Sequence, residues 1–236
     1  MLRLFISLVL SVISLPAFAQ HLELKEPKDF VRLVGEIDSD TVSQFVSDLT
    51  VAAETNKTVT VYIDSPGGNI GAGIRILDAV AGLKTSKPDL RLRCFAEFAA
   101  SMAFAFMQVA CDHRIVSEYS VLMMHQASVG MQGKWGEIQT RSELLKQVID
   151  LLEQKVATRL KLSLPEYRSR VVNDWWIVGR TNLKEKSADF IGTVSCSAEL
   201  VKANQCPLYT PSSADGRSRG QSAPSEGQTS SPQPKK

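Results

Sequence analysis

Apolar residues fall into two spacings along this chain, and the two alternate. Residues 30–34 (Phe-Val-Arg-Leu-Val) alternate in the manner of a strand and run into Gly35. Ser39 or Asp40 can cap a following helix with Val42, Phe45, Val46 and Leu49 on one face. Residues 59–63 form a β-branched strand that closes in the turn Ser65-Pro66-Gly67-Gly68. Ile70, Ile74, Leu77 and Val80 then recur at helical spacing, and residues 90–95 read as the next strand. Residues 99–110 are almost all small and apolar, which predicts a buried helix too short to span a membrane. Two short strands are predicted over 113–116 and 121–124, and a glycine-bearing loop or hairpin over 128–134. From Trp135 to about Leu162 a long amphipathic helix carries Ile138, Leu145, Val148, Ile149, Leu152, Val156 and Leu160. Pro165 can begin a further helix, Thr181 can cap a short one, and residues 190–194 are a last strand. Strands separated by helices predict an α/β fold with parallel pairing and right-handed crossovers.

The two ends depart from this pattern. Arg3, the apolar run 4–15 and the small-x-small triplet Ala17-Phe18-Ala19 have the order of a secretory leader, cleaved before Gln20. An uncleaved anchor is the alternative, but the run is shorter than the roughly 20 residues a bilayer span needs. Residues 210–236 contain no Leu, Ile, Val, Phe, Tyr or Trp, so they cannot bury enough surface to offset the entropy of ordering. The expected organisation is a leader over 1–19, one domain over 20–209 and a disordered polar tail over 210–236. The expected location is periplasmic or secreted, with no membrane span left after cleavage.

A formal net charge of +2 gives no reason to expect nucleic acid as a partner. The four cysteines lack metal-site or redox-motif spacing, so no metal and no cofactor is expected. An oxidising compartment permits disulfides among them, with three connectivities open. Cys196 and Cys206 flank a short loop and can pair. Cys94 and Cys111 bracket a predicted helix expected to hold them apart.

Candidate chemistry sits at a few polar residues, each with an ordinary structural reading when taken alone. Ser101 stands where a strand gives way to a buried helix. It can be a simple cap, or an alcohol at a helix N-terminus, where N–H groups and the dipole favour negative charge. The mature chain has three histidines. His21 falls in an N-terminus expected to be mobile, and His113 in a charged turn expected to be solvated. His125 ends a strand and can be a satisfied histidine or a base. Asp174 precedes Trp175-Trp176; it can be a helix-terminal carboxylate, or the group that fixes an imidazole tautomer. Gly67-Gly68 can be a tight turn only, or place the N–H of Gly68 in an oxyanion hole with that of Met102.

Taken together and in order, five stretches resemble the proteolytic subunit of Clp proteases (ClpP). They are Leu33-Val34-Gly35-Glu36-Ile37, the run from Tyr62 to Gly68, Ala99-Ala100-Ser101-Met102, Met124-His125-Gln126, and Asp174. The resemblance covers residues 30–194 and implies a ClpP/crotonase-like ββα superhelix with a protruding long helix. It also implies serine endopeptidase chemistry: Ser101 as nucleophile, His125 as base, Asp174 as orienter, and Gly68 and Met102 as oxyanion donors. Peptides or unfolded proteins are the implied substrates. The helix from Trp135 resembles the family's handle, which implies a homo-oligomer. Export separates the chain from cytoplasmic ATP, so an ATP-driven unfoldase is not expected as a partner. Glu97, Ala127 and the stretch Ala188-Asp189-Phe190 depart from the family pattern. The first two bear on substrate range and full activity, and Glu97, near Ser101, leaves open a catalytically weak or inactive crotonase-fold scaffold that binds a peptide or partner. A Ser-Lys peptidase resembling signal-peptide peptidase A is a further alternative, with Lys134 as the lysine to check. Acyl-CoA chemistry is disfavoured, since export removes coenzyme A.

Overall fold

The computed structural model describes residues 20–25 and 30–208, so the expected leader, the expected tail and Tyr209 lie outside the described residues. A short strand β1 (Gln20–Leu24) precedes the main alternation. Strands β2 (Phe30–Ile37), β3 (Thr58–Gly68), β4 (Arg91–Ala100) and β5 (His113–Met124) are linked by helices α1 (Ser39–Thr55), α2 (Ile70–Ser86) and α3 (Met102–Ala110). They lie side by side in one seven-stranded sheet ordered β1-β7-β5-β4-β3-β2, where β7 is Phe190–Cys196. All these pairings are parallel. Only β6 (Trp175–Val178) is antiparallel, running back along residues 121–124 of β5. This is the mixed α/β, parallel-sheet architecture of the ClpP/crotonase-like fold.

Strand alternation assigns the two faces. Val59, Val61 and Ile63 of β3 point into the main core beneath the helices, with Phe45 of α1 and Phe104 and Phe106 of α3. Each such aromatic contributes about 1.5–3 kcal/mol by burial; Phe45 and Phe106 also meet edge to face at 5.4 Å. On the opposite face Tyr62, Phe95, Ile115 and Leu22 form a second cluster.

Helix α4 (Trp135–Leu160) is buried only in its last third, at Leu152, Val156, Ala157 and Leu160. Its first turns stand away from the domain, leaving Trp135 and Leu144 exposed. It stops at Leu160 because Lys161 turns into the left-handed region at φ 59°. Helix α5 (Leu164–Val171) starts at once, capped by Ser163, and Arg168 ties it back to Glu153 and Asp150 of α4. The helices α6 (Thr181–Lys184) and α7 (Ala198–Lys202) are short. Among the described residues, no helix is long and apolar enough to cross a membrane.

Several expectations need correction. The cap of α1 is Asp38, whose carboxylate accepts the N–H groups of Asp40 and Thr41 and is held below its usual pKa by the latter. Strand β4 runs on to Ala100, so α3 begins at Met102 rather than at residue 99. The two strands predicted over 113–116 and 121–124 are one strand, kept continuous where Ser120 Oγ bonds Ala96 O and Ser117 N. His21 lies in β1, its ring nitrogens meeting Thr193 Oγ1 and Ser195 Oγ at 2.9 and 3.2 Å. Cys196–Cys206 is paired, and so is Cys94–Cys111, with Cα atoms 5.9 Å apart. The helix between Cys94 and Cys111 does not separate them. The chain climbs along β4 and descends along α3, so Cys111 returns to the level of Cys94 just before β5.

Candidate active site

The site forms where three β-strands end together. Leaving β4, the chain must reverse within one residue to start α3, and that residue is Ser101, at φ 53° and ψ −118°. A non-glycine residue at positive φ is held there by its surroundings at a cost of order 1–3 kcal/mol. The strain is secured by the backbone: Ser101 N–H donates to Met123 O at 2.8 Å, and its carbonyl accepts the first helical bond from Ala105 N. The consequence is chemical. A serine at a helix N-cap ordinarily turns its hydroxyl onto its own helix, but Ser101 makes no side-chain cap bond. Its Oγ instead lies 2.9 Å from His125 Nε2, both side chains part-buried.

His125 reaches this position as the residue following β5, the strand next to β4 in the sheet. Its neighbour Gln126 N–H donates to Val171 O at 3.1 Å, which fastens the start of the loop to α5. In the tautomer that carries its proton on Nδ1, Nε2 can accept from Ser101 Oγ. Asp174 is brought close by the sheet: Met124 pairs with Trp175, and His125 and Asp174 are the next residues beyond that pair. The Asp174 carboxylate is exposed, and among the described residues it makes no hydrogen bond to His125.

The glycine turn closes the site from the β3 side. Ser65 is fully buried; its hydroxyl donates to Gly35 O at 2.6 Å and accepts Gly67 N–H at 3.1 Å. Gly67 at φ +91° lies so close to the strand-to-helix junction that a Cβ there would stand 2.6 Å from Ala100 O and 2.7 Å from Met102 N. Gly68 at φ +153° presses equally on Ile37. The Met102 N–H, in the first turn of α3, is not consumed by the helix. Gly73 of α2 is filled by the Met102 side chain, whose atoms stand 2.3–2.7 Å from where a Cβ would be. Chain pattern gave no sign that Ser65 or Gly73 supports the site.

A cavity of about 370 Å³ opens beside these groups. Pro66, Gly68, Ser101, Met102, His125 and Ala127 line the side with the Ser101–His125 contact, and Ile70, Ala105, Met124, Ile149 and Leu152 give it apolar walls. Glu36, which falls in the first of the resembling stretches, and Glu153, which no motif had marked, are also in its lining. Two residues singled out earlier lie elsewhere. Lys134 is the exposed N-cap of α4, and Glu97 is held by a 2.5 Å hydrogen bond from Tyr62 O–H. That carboxylate helps burial push the Tyr62 phenol upward, and it adds to the burial that raises Asp64. Among the described residues, no group of three or more His, Cys, Asp or Glu side chains is gathered in the way a metal ion would require.

An alcohol hydrogen-bonded to an imidazole, at a helix N-terminus beside an apolar cavity, can attack an acyl carbon and shed its proton to the ring. Comparison with known proteins points the same way. The family model for Clp protease matches residues 24–185. An ATP-dependent Clp protease proteolytic subunit of Borreliella afzelii (strain PKo) is 30% identical over 139 residues, covering 56% of this chain and 69% of that protein. A protein of the same description from Borrelia garinii subsp. bavariensis is 29% identical over 166 residues, covering 67% of this chain and 81% of its own.

Proposed function

The chain belongs to the Clp protease family, and from that premise we propose that it is a serine endopeptidase that cleaves peptides or unfolded proteins through an acyl-enzyme. The observation that carries the proposal is the 2.9 Å contact between Ser101 Oγ and His125 Nε2 at the wall of the cavity.

In this reading Ser101 Oγ attacks the carbonyl carbon while its proton passes to His125 Nε2. The C–N bond then breaks, and the leaving amine takes that proton from the imidazolium. Water, deprotonated by the same ring, attacks the ester carbon; the C–O bond to Ser101 breaks, Oγ takes the proton back from the imidazolium, and the acid is released. The N–H groups of Gly68 and Met102 are the proposed oxyanion donors; one such donor contributes roughly 2.7–4 kcal/mol in comparable sites. Asp174 is the proposed partner of the Nδ1 proton. The strand register supports this, since it sets Asp174 beside His125. A second subunit laid against the exposed Val172, Trp176 and Val178 would take Asp174 out of water and favour its bond to the ring. Self-association through that edge and through α4 is therefore part of the proposal.

We also place the mature chain outside the cytoplasm. Both disulfides suit an oxidising compartment, as the leader-like N-terminus does. Without ATP at hand, the substrates would be short or already unfolded chains.

The test is active-site labelling of the mature, assembled protein by a fluorophosphonate. Ser101 is expected to be the labelled residue, with labelling absent in Ser101→Ala and at least about a hundredfold slower in His125→Ala. A properly assembled protein that neither labels nor hydrolyses any member of a peptide library would end the proposal.

A further inference from the structure

The cavity beside Ser101 holds two carboxylates that the acyl-transfer chemistry does not use. Glu153 reaches it from α4 with a side chain only 12% exposed. One of its oxygens, Oε2, accepts Arg168 Nε at 2.7 Å, and among the described residues no hydrogen bond reaches Oε1. The same guanidinium also binds Asp150, whose second partner is Lys146, so the feature that distinguishes Glu153 is its unpartnered Oε1 rather than an unbalanced charge. Glu36, at the end of β2, stands exposed in the lining, and among the described residues it has no ion pair. Among the described residues, no lysine or arginine lines the cavity. Away from Ser101 and His125 the wall is apolar at Ile70, Ala105, Met124, Ile149 and Leu152, with Ser128 also in the lining.

We infer that this cavity receives the side chain of the residue whose carbonyl Ser101 attacks, and that it selects lysine or arginine, with Glu153 as the acceptor for the cationic tip. The inference rests on the peptidase reading of the same site. A lysine or arginine stem gains about 0.8 kcal/mol per methylene from the apolar wall. Its tip then meets a carboxylate oxygen with no other partner, in surroundings that screen the attraction poorly. A leucine or methionine of similar length gains the same wall contact but displaces water from Glu153 and leaves that oxygen unsatisfied, which costs roughly 1–3 kcal/mol. A site built around a buried polar group rejects side chains that lack the complement more strongly than an apolar pocket rejects a change of size. The Glu36 charge adds to the preference at longer range.

The test compares fluorogenic peptides that differ only at the residue before the cleaved bond: Lys, Arg, Leu, Met, Gln and Glu. The mature full-length protein is expected to hydrolyse the Lys and Arg members with kcat/KM at least about tenfold above Leu. In Glu153→Gln that Lys-to-Leu ratio should fall at least about tenfold, and in Glu36→Gln by a smaller factor. Peptide aldehydes give a second readout that needs no variant: an argininal should block fluorophosphonate labelling at about a tenfold lower concentration than a leucinal. Equal or better hydrolysis of the Leu or Met peptide overturns the inference, as does an unchanged ratio in Glu153→Gln. Labelling of Ser101 in the wild-type protein separates the two failures. If it persists, only the cationic preference is lost; if it is absent, the peptidase reading itself has failed.

Discussion

Replacing Gly67 by alanine should slow the reaction about a hundredfold while leaving the protein folded. The added methyl group would meet Ala100 O at 2.6 Å, Met102 N at 2.7 Å and Ser101 Cβ at 2.8 Å. All three belong to the strand-to-helix junction that carries Ser101, so no flexible side chain can swing aside to absorb the overlap. Gly67 also sits at φ +91°, where a Cβ costs about 1–2 kcal/mol. Overpacking adds about 1–3 kcal/mol. The sum, roughly 2–5 kcal/mol, is smaller than the 5–15 kcal/mol that typically holds a domain together. Relief of the overlap must displace Ser101 and the Met102 N–H by a sizeable fraction of 1 Å, and a misplacement of that order can cost about a hundredfold in rate. Two assays read the outcome: the second-order rate of fluorophosphonate labelling, and the thermal midpoint, expected to fall by roughly 5–15 °C. Gly82 is the control, since a Cβ there meets nothing within 4 Å. In the middle of α2, Gly82→Ala should gain about 0.5–1 kcal/mol and label normally. Wild-type labelling and an unchanged midpoint in Gly67→Ala would refute the account of how the turn positions Ser101.

Three further outcomes are expected. Removing the Cys94–Cys111 bridge, with its sequence separation of 17, should cost about 3 kcal/mol by the loop-entropy relation, read as a lower urea midpoint for Cys94→Ala/Cys111→Ala. Acid should destabilise the fold through Asp189. Burial would raise this carboxyl, but its bonds to Arg114 outweigh that and hold it below its ordinary value of 3.8. A lowered carboxylate stabilises fully above its unfolded pKa, and the contribution disappears as pH falls through the lower folded value. Asp189→Asn, which strands a nearly buried Arg114, should cost about 3 kcal/mol at neutral pH and flatten the loss of stability below about pH 4. Finally, Trp176→Ser together with Leu144→Ser should shift sedimentation toward smaller species, since both side chains are more than half exposed.

Much of the fold could be read from local periodicity. The β-branched run at residues 59–63 and the apolar spacing from Ile70 to Val80 have one self-consistent reading each, because burial of one face needs only that element's own residues. The short pieces could not be read this way. Residues 20–24 and 175–178 offer too few positions for a period, and they are strands because β7 and β5 present open edges to them. The bridge between Cys94 and Cys111 was misjudged for a related reason. Local pattern gives the helix between them, but not that the chain doubles back beside β4.

Chemistry divides along the same line. Residue type and order determined that an alcohol, an imidazole and a glycine turn were available in a parallel α/β domain, because apolar spacing and turn chemistry act over a few neighbouring residues. The tertiary structure alone decided that Ser101 stands at φ 53° with its hydroxyl turned to His125, that Asp174 follows next to His125 in strand register with no hydrogen bond between them, and that Glu153 faces the cavity. These outcomes depend on where separate crossovers end relative to one another. That is set by packing of the whole sheet and its helices, a free energy shared among distant residues and written in no short stretch of chain.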